Sequence, residues 1–254
     1  MLELAKLTWL EAKAALDART VVFLPVGCTE PHGPHLPLDT DVTIALAQAA
    51  RAAAKLESRG VRCVLAPPLH YGLTMYTDGF AGRVTLRPGT LWALLEDIVS
   101  ALEQNGVRRI VFSNAHLEPA HVKVLRGVAG DHAVVAEDKA RVLFPDVTRR
   151  RFAERLGDEF KSGDCHAGRY ESSIVLAADP TSVKDAARRE LAPVRIDLLA
   201  KMQSGVDSFL DAGATDAYCG DPAAASAAEG EQLVDTLADV FVESIRETWP
   251  DLGA

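Results

Sequence analysis

Short runs of β-branched and apolar residues alternate along this chain with alanine-rich stretches of helical period, and that alternation most limits what it can fold into. Five runs end where polar or glycine-rich segments begin: TVVFLPVG (20–27), VRCVLAPPL (61–69), RRIVFSN (108–114), HAVVAED (132–138) and SSIVLAADP (172–180). Each reads as a buried strand bounded by turn residues. Between them, VTIALAQAARAAAKLESRG (42–60) has helical periodicity and closes on Gly60, and TLWALLEDIVSALEQNG (90–106) starts at a threonine cap and closes on Gly106. The first twenty residues read as an amphipathic helix. Strand, helix, strand alternation predicts an α/β fold of three layers, α/β/α, with a mostly parallel central sheet. No repeat, linker or composition break divides the 254 residues, so one domain is expected.

Composition removes several classes of partner. With 48% hydrophobic and 25% charged residues the chain has the balance of a globular protein, and no apolar run reaches the roughly 18 residues of a spanning helix. The N-terminal segment carries acidic residues and lacks the basic region and cleavage site of a secretory leader, so a cytoplasmic location is expected. Cys28, Cys63, Cys165 and Cys219 are widely spaced with no CxxC pair, which argues against both a disulfide framework and a thiolate zinc site. A formal net charge of −9 without a dense basic face argues against nucleic acid.

Ligands of parallel α/β sheets gather beyond the carboxyl ends of the strands. Three such places open into polar clusters. Run 20–27 feeds CTEPHGPHLPLDTD, with Glu30, His32 and Asp41; run 108–114 feeds NAHLEPAH, with His116, Glu118 and His121; and GDCHAGRYESS, just before 172, carries Asp164, His166 and Glu171. Taken singly, each of these residue types is most often a solvated loop residue. Glu30 with His32, and His116 with Glu118, stand two apart, which in extended chain throws both side chains to one face. Asp41 follows a segment stiffened by Pro34 and Pro37 and could instead cap the helix expected from 42.

Carboxylates mixed with imidazoles, without thiolates, suit zinc, manganese or another borderline divalent ion. Five candidates, Glu30, His32, Asp41, His116 and Glu118, are too many for one open catalytic site. They suit two metals roughly 3.5–4 Å apart that share a carboxylate and activate a water between them.

The stretch LPVGCTEPHGPHLPLDTDVTIA (24–45) resembles the creatininase family signature, and NAHLE, DCHAGRYESS and CGDPAAASAAEGEQL resemble that family's later segments in the same order. The resemblance implies a creatininase-like dinuclear amidohydrolase that cleaves a non-peptide or cyclic amide C–N bond, with two divalent ions per chain, zinc or manganese. It implies Glu30, Asp41 and His116 on one ion and His32, Asp41 and Glu118 on the other, with Asp41 bridging. His166 is then expected to be the general acid or base, with a structural role as its alternative, and Glu171 to orient His166 or a ligand. Asp164, Leu117 and Thr74 are expected near the substrate. A homo-oligomer, a hexamer first, is expected too. Alternatives are a formamide deformylase or small-peptide hydrolase of the same family and a non-catalytic metal-binding accessory subunit.

The sequence departs from the resemblance in its aromatic residues. Trp9, Trp92 and Trp249 lie away from the three clusters, and Leu117 stands where a stacking tyrosine is expected, which argues against creatinine itself as substrate. Tyr71, Tyr76 and Tyr170 are left as candidates for other walls of the site, and Asn114, His35 and His121 are expected to brace loops. Cys28 has no evident base beside it and is not read as a nucleophile.

Overall fold

The computed structural model describes residues 1–253. At its centre lies a sheet of five parallel strands: β1 Leu2–Glu3, β2 Val21–Val26, β3 Cys63–Leu65, β4 Arg109–Asn114 and β5 Arg141–Leu143, in spatial order β1-β3-β2-β4-β5. Helices α1 Trp9–Ala15, α2 Thr40–Glu57, α3 Pro88–Gln104 and α4 Pro119–Asp131 alternate with the strands. After β5 come the short helices α5 Arg150–Ala153 and α6 Asp158–Ser162, then α7 Arg169–Ala178, α8 Asp185–Arg189, α9 Leu198–Gln203 and α10 Phe209–Ala212, and the long α11 Ala227–Thr248.

Successive strand side chains point to opposite faces, and both faces are covered. Val22, Leu24, Ile110 and Phe112 pack with Leu91, Leu95 and Val99 of α3 and Val124, Leu125 and Val128 of α4. Their neighbours Val21, Phe23 and Val111 pack on the other face with Ala49, Ala52 and Ala53 of α2 and Ala238, Phe241 and Ile245 of α11. This is the expected three-layer arrangement. From β2 the chain crosses by α2 to β3 on one side; from β3 it returns by α3 over the opposite face to β4 on the other side, and α4 continues there to β5. Opposite directions on opposite faces keep the crossovers one-handed. The carboxyl ends of β2 and β4, adjacent in the sheet, therefore flank a switch point, where a crevice opens.

Several elements differ from the sequence reading. Run 172–180 lies in helix α7 as far as Ala178, not in a strand. Tyr170 through Val175 are all buried, so neither helical nor strand period shows in the pattern, and β-branched residues misled. Run 132–138 is turn and irregular chain, with Val134 94% exposed, and the fifth strand falls just after it at Arg141–Leu143. The first twenty residues form β1, a short 3₁₀ turn and α1 rather than one helix, and Thr8 starts α1 with a capping box to Glu11. Helix α2 begins at Thr40 rather than 42, which puts Asp41 in its first turn instead of at the cap. Among the described residues no helix is long and apolar enough to cross a membrane.

Candidate metal centre

Each cluster reaches the crevice by a local device. Gly27, at the end of β2, lies so close to α2 that a Cβ there would sit 2.6 Å from the Val42 backbone nitrogen, so only glycine lets the first turn of α2 bring Asp41 beside the loop that follows β2. That loop carries Glu30 and His32, the chain after β4 carries His116 and Glu118, and the first turn of α7 brings Glu171 from far along the sequence, with His166 just ahead of it. All but His166 are buried, at 6% exposure or less.

The hydrogen bonds fix which nitrogen each histidine offers. His116 Nε2 lies 2.6 Å from the Leu73 carbonyl and His32 Nδ1 lies 3.1 Å from the Glu30 carbonyl; a carbonyl only accepts, so each of these nitrogens carries the proton. The remaining lone pairs face carboxylates. His116 Nδ1 is 3.0 Å from Glu30 Oε1 and 3.1 Å from Asp41 Oδ2, and His32 Nε2 is 3.4 Å from Asp41 Oδ1 and 3.6 Å from Glu171 Oε2. A lone pair pointed at carboxylate oxygens is repulsive unless a proton or a cation lies between. Two of the four groups of donor atoms that close within 4.8 Å among the described residues, Glu30, Asp41 and His116, and His32, Asp41 and Glu171, share Asp41; Glu30 and His32 also close with His166, and Cys28 with His116 and His121. His32 Nε2, Asp41 Oδ2 and Glu118 Oε1 are buried without a hydrogen-bond partner. Such donors, in such a setting, fit a divalent metal ion.

Charge tells the same story. Burial alone would lower the His32 pKa, but the charges of Asp41, Glu171 and Glu30 outweigh it and hold it up at about 10. Burial would likewise lower His116, which neighbouring charges, with Glu30 and Asp41 among them, instead raise well above its ordinary value. Burial pushes Glu171 up to about 7 despite His32, and Glu118 up to about 6 despite His116. His166 goes the other way: burial and the neighbouring His32 lower it to about 4, so near neutral pH its ring is uncharged. Its Nε2 donates to the Pro31 carbonyl at 3.0 Å, which leaves Nδ1 with the lone pair. Cys28 is pushed by burial up to about 12 and remains a thiol.

Not every expected site residue reaches the crevice in the way its sequence suggested. Glu118 belongs to neither donor group; its Oε2 accepts from the backbone N–H of Met75 at 2.5 Å and of Tyr76 at 3.2 Å. Asp164 turns away from the cavity, and its two oxygens accept from the backbone N–H groups of Ile196, Asp197 and Leu198. Its carboxylate is spent on pinning the chain that leads into α9. Thr74 is buried outside the cavity, where its N–H meets Thr85 Oγ1. Leu117 does line the cavity, of about 230 Å³, along with Glu30, Asp41, His116, Glu118, His166 and Glu171.

The rest of that wall is mostly apolar: Tyr76, Phe160, Leu198, Met202 and Phe209. The Phe209 ring stacks on His166 at 4.3 Å between centroids. Of these residues only Tyr76 was singled out in the sequence as a candidate wall. Nothing local in 198–209 marks it as folding back over the centre; Asp164 and its three backbone partners do that. Tyr170 packs against Phe160 in the core and Tyr71 is exposed.

A family model described as creatinine amidohydrolase matches residues 5–245. The chain belongs to the creatininase family. It is thereby a hydrolase of amide C–N bonds, as the sequence led us to expect. Among its relatives, a mycofactocin precursor peptide peptidase of Mycolicibacterium smegmatis is 32% identical over 91% of this chain and 86% of its own length. A creatinine amidohydrolase of Pseudomonas putida is 26% identical over 96% of each chain. A solved structure of a manganese creatininase superposes with a TM-score of 0.72 at 24% identity, covering 98% of this chain and 99% of that one, a likeness of fold.

Proposed function

We propose that this chain is a two-metal amidohydrolase in which Asp41 is shared by both ions, with Glu30 and His116 completing one set of ligands and His32 the other. What supports it is the lone-pair geometry: two histidines whose free nitrogens are aimed at carboxylates, in two donor groups with one aspartate in common. The resemblance gives the third ligand beside His32 as Glu118; the distances favour Glu171. Zinc and manganese both accept this donor set.

Divalent ions held there supply Lewis acidity, which polarises an amide carbonyl and acidifies water near neutral pH. The protein's own residues do the rest. His166, uncharged and tethered through Nε2 to Pro31, has Nδ1 free to take a proton and pass it to the leaving nitrogen. Phe209, against its face, limits its motion and excludes water from that side. Glu171 accepts from the Ala167 N–H at 2.7 Å, which ties the turn that carries His166 to the ligand cluster.

The apolar wall suits a substrate with a bulky apolar group beside its amide better than a small polar ring. A second reading, hydrolysis of a peptide amide, is favoured by the identity with the relative named a peptidase. Elemental analysis after reconstitution should find close to two ions per chain. At most one ion, unchanged in Glu118→Ala and in Glu171→Gln, would overturn the two-metal reading. A turnover screen across cyclic amides, N-formyl compounds, lactams and small peptides then separates the substrate classes; activity on peptides alone selects the second reading.

A further inference from the structure

His121 stands apart from the chemistry proposed above, yet it is fully buried and one helical turn into the segment that follows His116. The residues around it close a circuit, and the Cys28 thiol also faces it, 3.9 Å from His121 Nδ1. The Leu73 backbone N–H can only donate, and it lies 3.3 Å from His121 Nδ1, so Nδ1 holds the lone pair and Nε2 the proton. That proton goes to Asn114 Oδ1 at 3.0 Å, which turns the amide's NH₂ toward the His116 carbonyl at 2.6 Å. His116 in turn donates from Nε2 to the Leu73 carbonyl at 2.6 Å. One peptide residue, Leu73, is thus held at its N–H by His121 and holds His116 at its carbonyl.

The close approach this needs is built into the chain. A Cβ on Gly72 would collide with Cys28 Sγ and with the His121 ring, so glycine is what allows the strap at 72–77 to lie against that ring. The same strap meets Glu118 through the N–H groups of Met75 and Tyr76, and Glu30 through Thr77 Oγ1 at 3.3 Å.

We propose that His121 is a positioning residue for the metal centre: by anchoring Leu73 it fixes the His116 ring so that Nδ1, and not Nε2, is offered to the ion. The proposal rests on the metal-binding reading of His116. Partners that orient a ligating histidine are typically worth about 10–100-fold in metal affinity. An imidazole is needed for its acceptor at Nδ1 as well as for its bulk, and these can be separated. His121→Phe keeps the ring and removes the acceptor, whereas His121→Asn places an oxygen close to where Nδ1 stood.

The test is a chelator-competition titration with Mn²⁺ and with Zn²⁺ on the full chain, alongside the melting temperature of the metal-free protein. The wild-type isotherm judges the metal-binding reading by itself; if it shows no binding, that reading and this proposal both fall. If it shows binding, His121→Phe should weaken one binding step about 10–100-fold, leave the other in place, and be largely rescued in His121→Asn. Wild-type affinity in His121→Phe overturns the proposal, as do equal losses in both steps or in both variants, which would mark a role in packing alone. If His121→Phe does not fold, Asn114→Leu decides, because it keeps His121 but removes the acceptor that holds its Nε2 and so the ring in place. The same one-step loss supports the proposal and no loss overturns it.

Discussion

His166 and Asp41 lie in one cavity yet should fail in different ways when replaced. His166 carries its proton toward Pro31 and is not needed for the shared aspartate, so His166→Ala should keep its metal and lose about 10²–10⁴-fold in rate, the usual worth of general acid–base catalysis. Asp41→Ala removes the residue common to both donor groups, so metal content and rate should fall together. Metal loss in His166→Ala would make it a ligand. Full activity there would move the proton carrier elsewhere. pH offers a second check. The His166 pKa is lowered from 6.5 to about 4 in the folded chain, so below about 6.5 the unfolded chain takes up a proton that the folded one refuses. Stability from this group is thus present above about 6.5 and lost as pH falls toward about 4, and urea unfolding of metal-free His166→Asn should show a shallower decline across that window. At this scale the sequence was informative where chemistry is local: Glu30 and His32 stand two apart and both enter donor groups, whereas the same spacing of His116 and Glu118 leaves Glu118 on the backbone of Met75 and Tyr76. It could not say that Asp164 bonds backbone while Glu171 faces His32, because both are carboxylates of one short motif and only the fold decides which way each turns.

Among the elements, the segment that leads into α9 depends on a single side chain. Asp164 satisfies three backbone N–H groups there, and leaving buried donors unpaired costs about 1–3 kcal/mol. Asp164→Ala should therefore loosen the wall made by Leu198, Met202 and Phe209, with a raised KM and a lowered Tm but unchanged metal content by elemental analysis. A fall in metal content instead would mean that Asp164 supports the ligands directly. Helix α7 shows what periodicity cannot reveal. It is packed between α2 and α11, and a Cβ on Gly230 of α11 would collide with the Ser173 carbonyl, so most of its surface is enclosed. A helix buried on nearly all sides has no polar stripe, and SSIVLAADP then reads as well for a strand. Helices α2 and α3 each keep an exposed face, and they fall within a few residues of where their sequences put them.

For the whole molecule, alternation of strand and helix led directly to the layered parallel sheet, but strand order is set by crossover hand and by which faces remain to be covered, which no single segment encodes. The family resemblance also implies self-association. Light scattering should give a mass several times the 27.2 kDa of the chain, and a value near that of the monomer would refute this. The switch point between β2 and β4 has one more consequence, for the order of events in folding. The loop after β2 meets α7 across great separations, as where His35 bonds Ser172, 137 residues away, so the ligands from Glu30 to Glu171 come together only when more than half of the chain is in place. Contacts of such long range form late, and an ion that binds only the finished arrangement stabilises the native state without helping the transition state to form. Added Mn²⁺ or Zn²⁺ should accordingly leave the refolding rate almost unchanged and slow unfolding, so that the metal sets how long the molecule lasts and not how fast it is made.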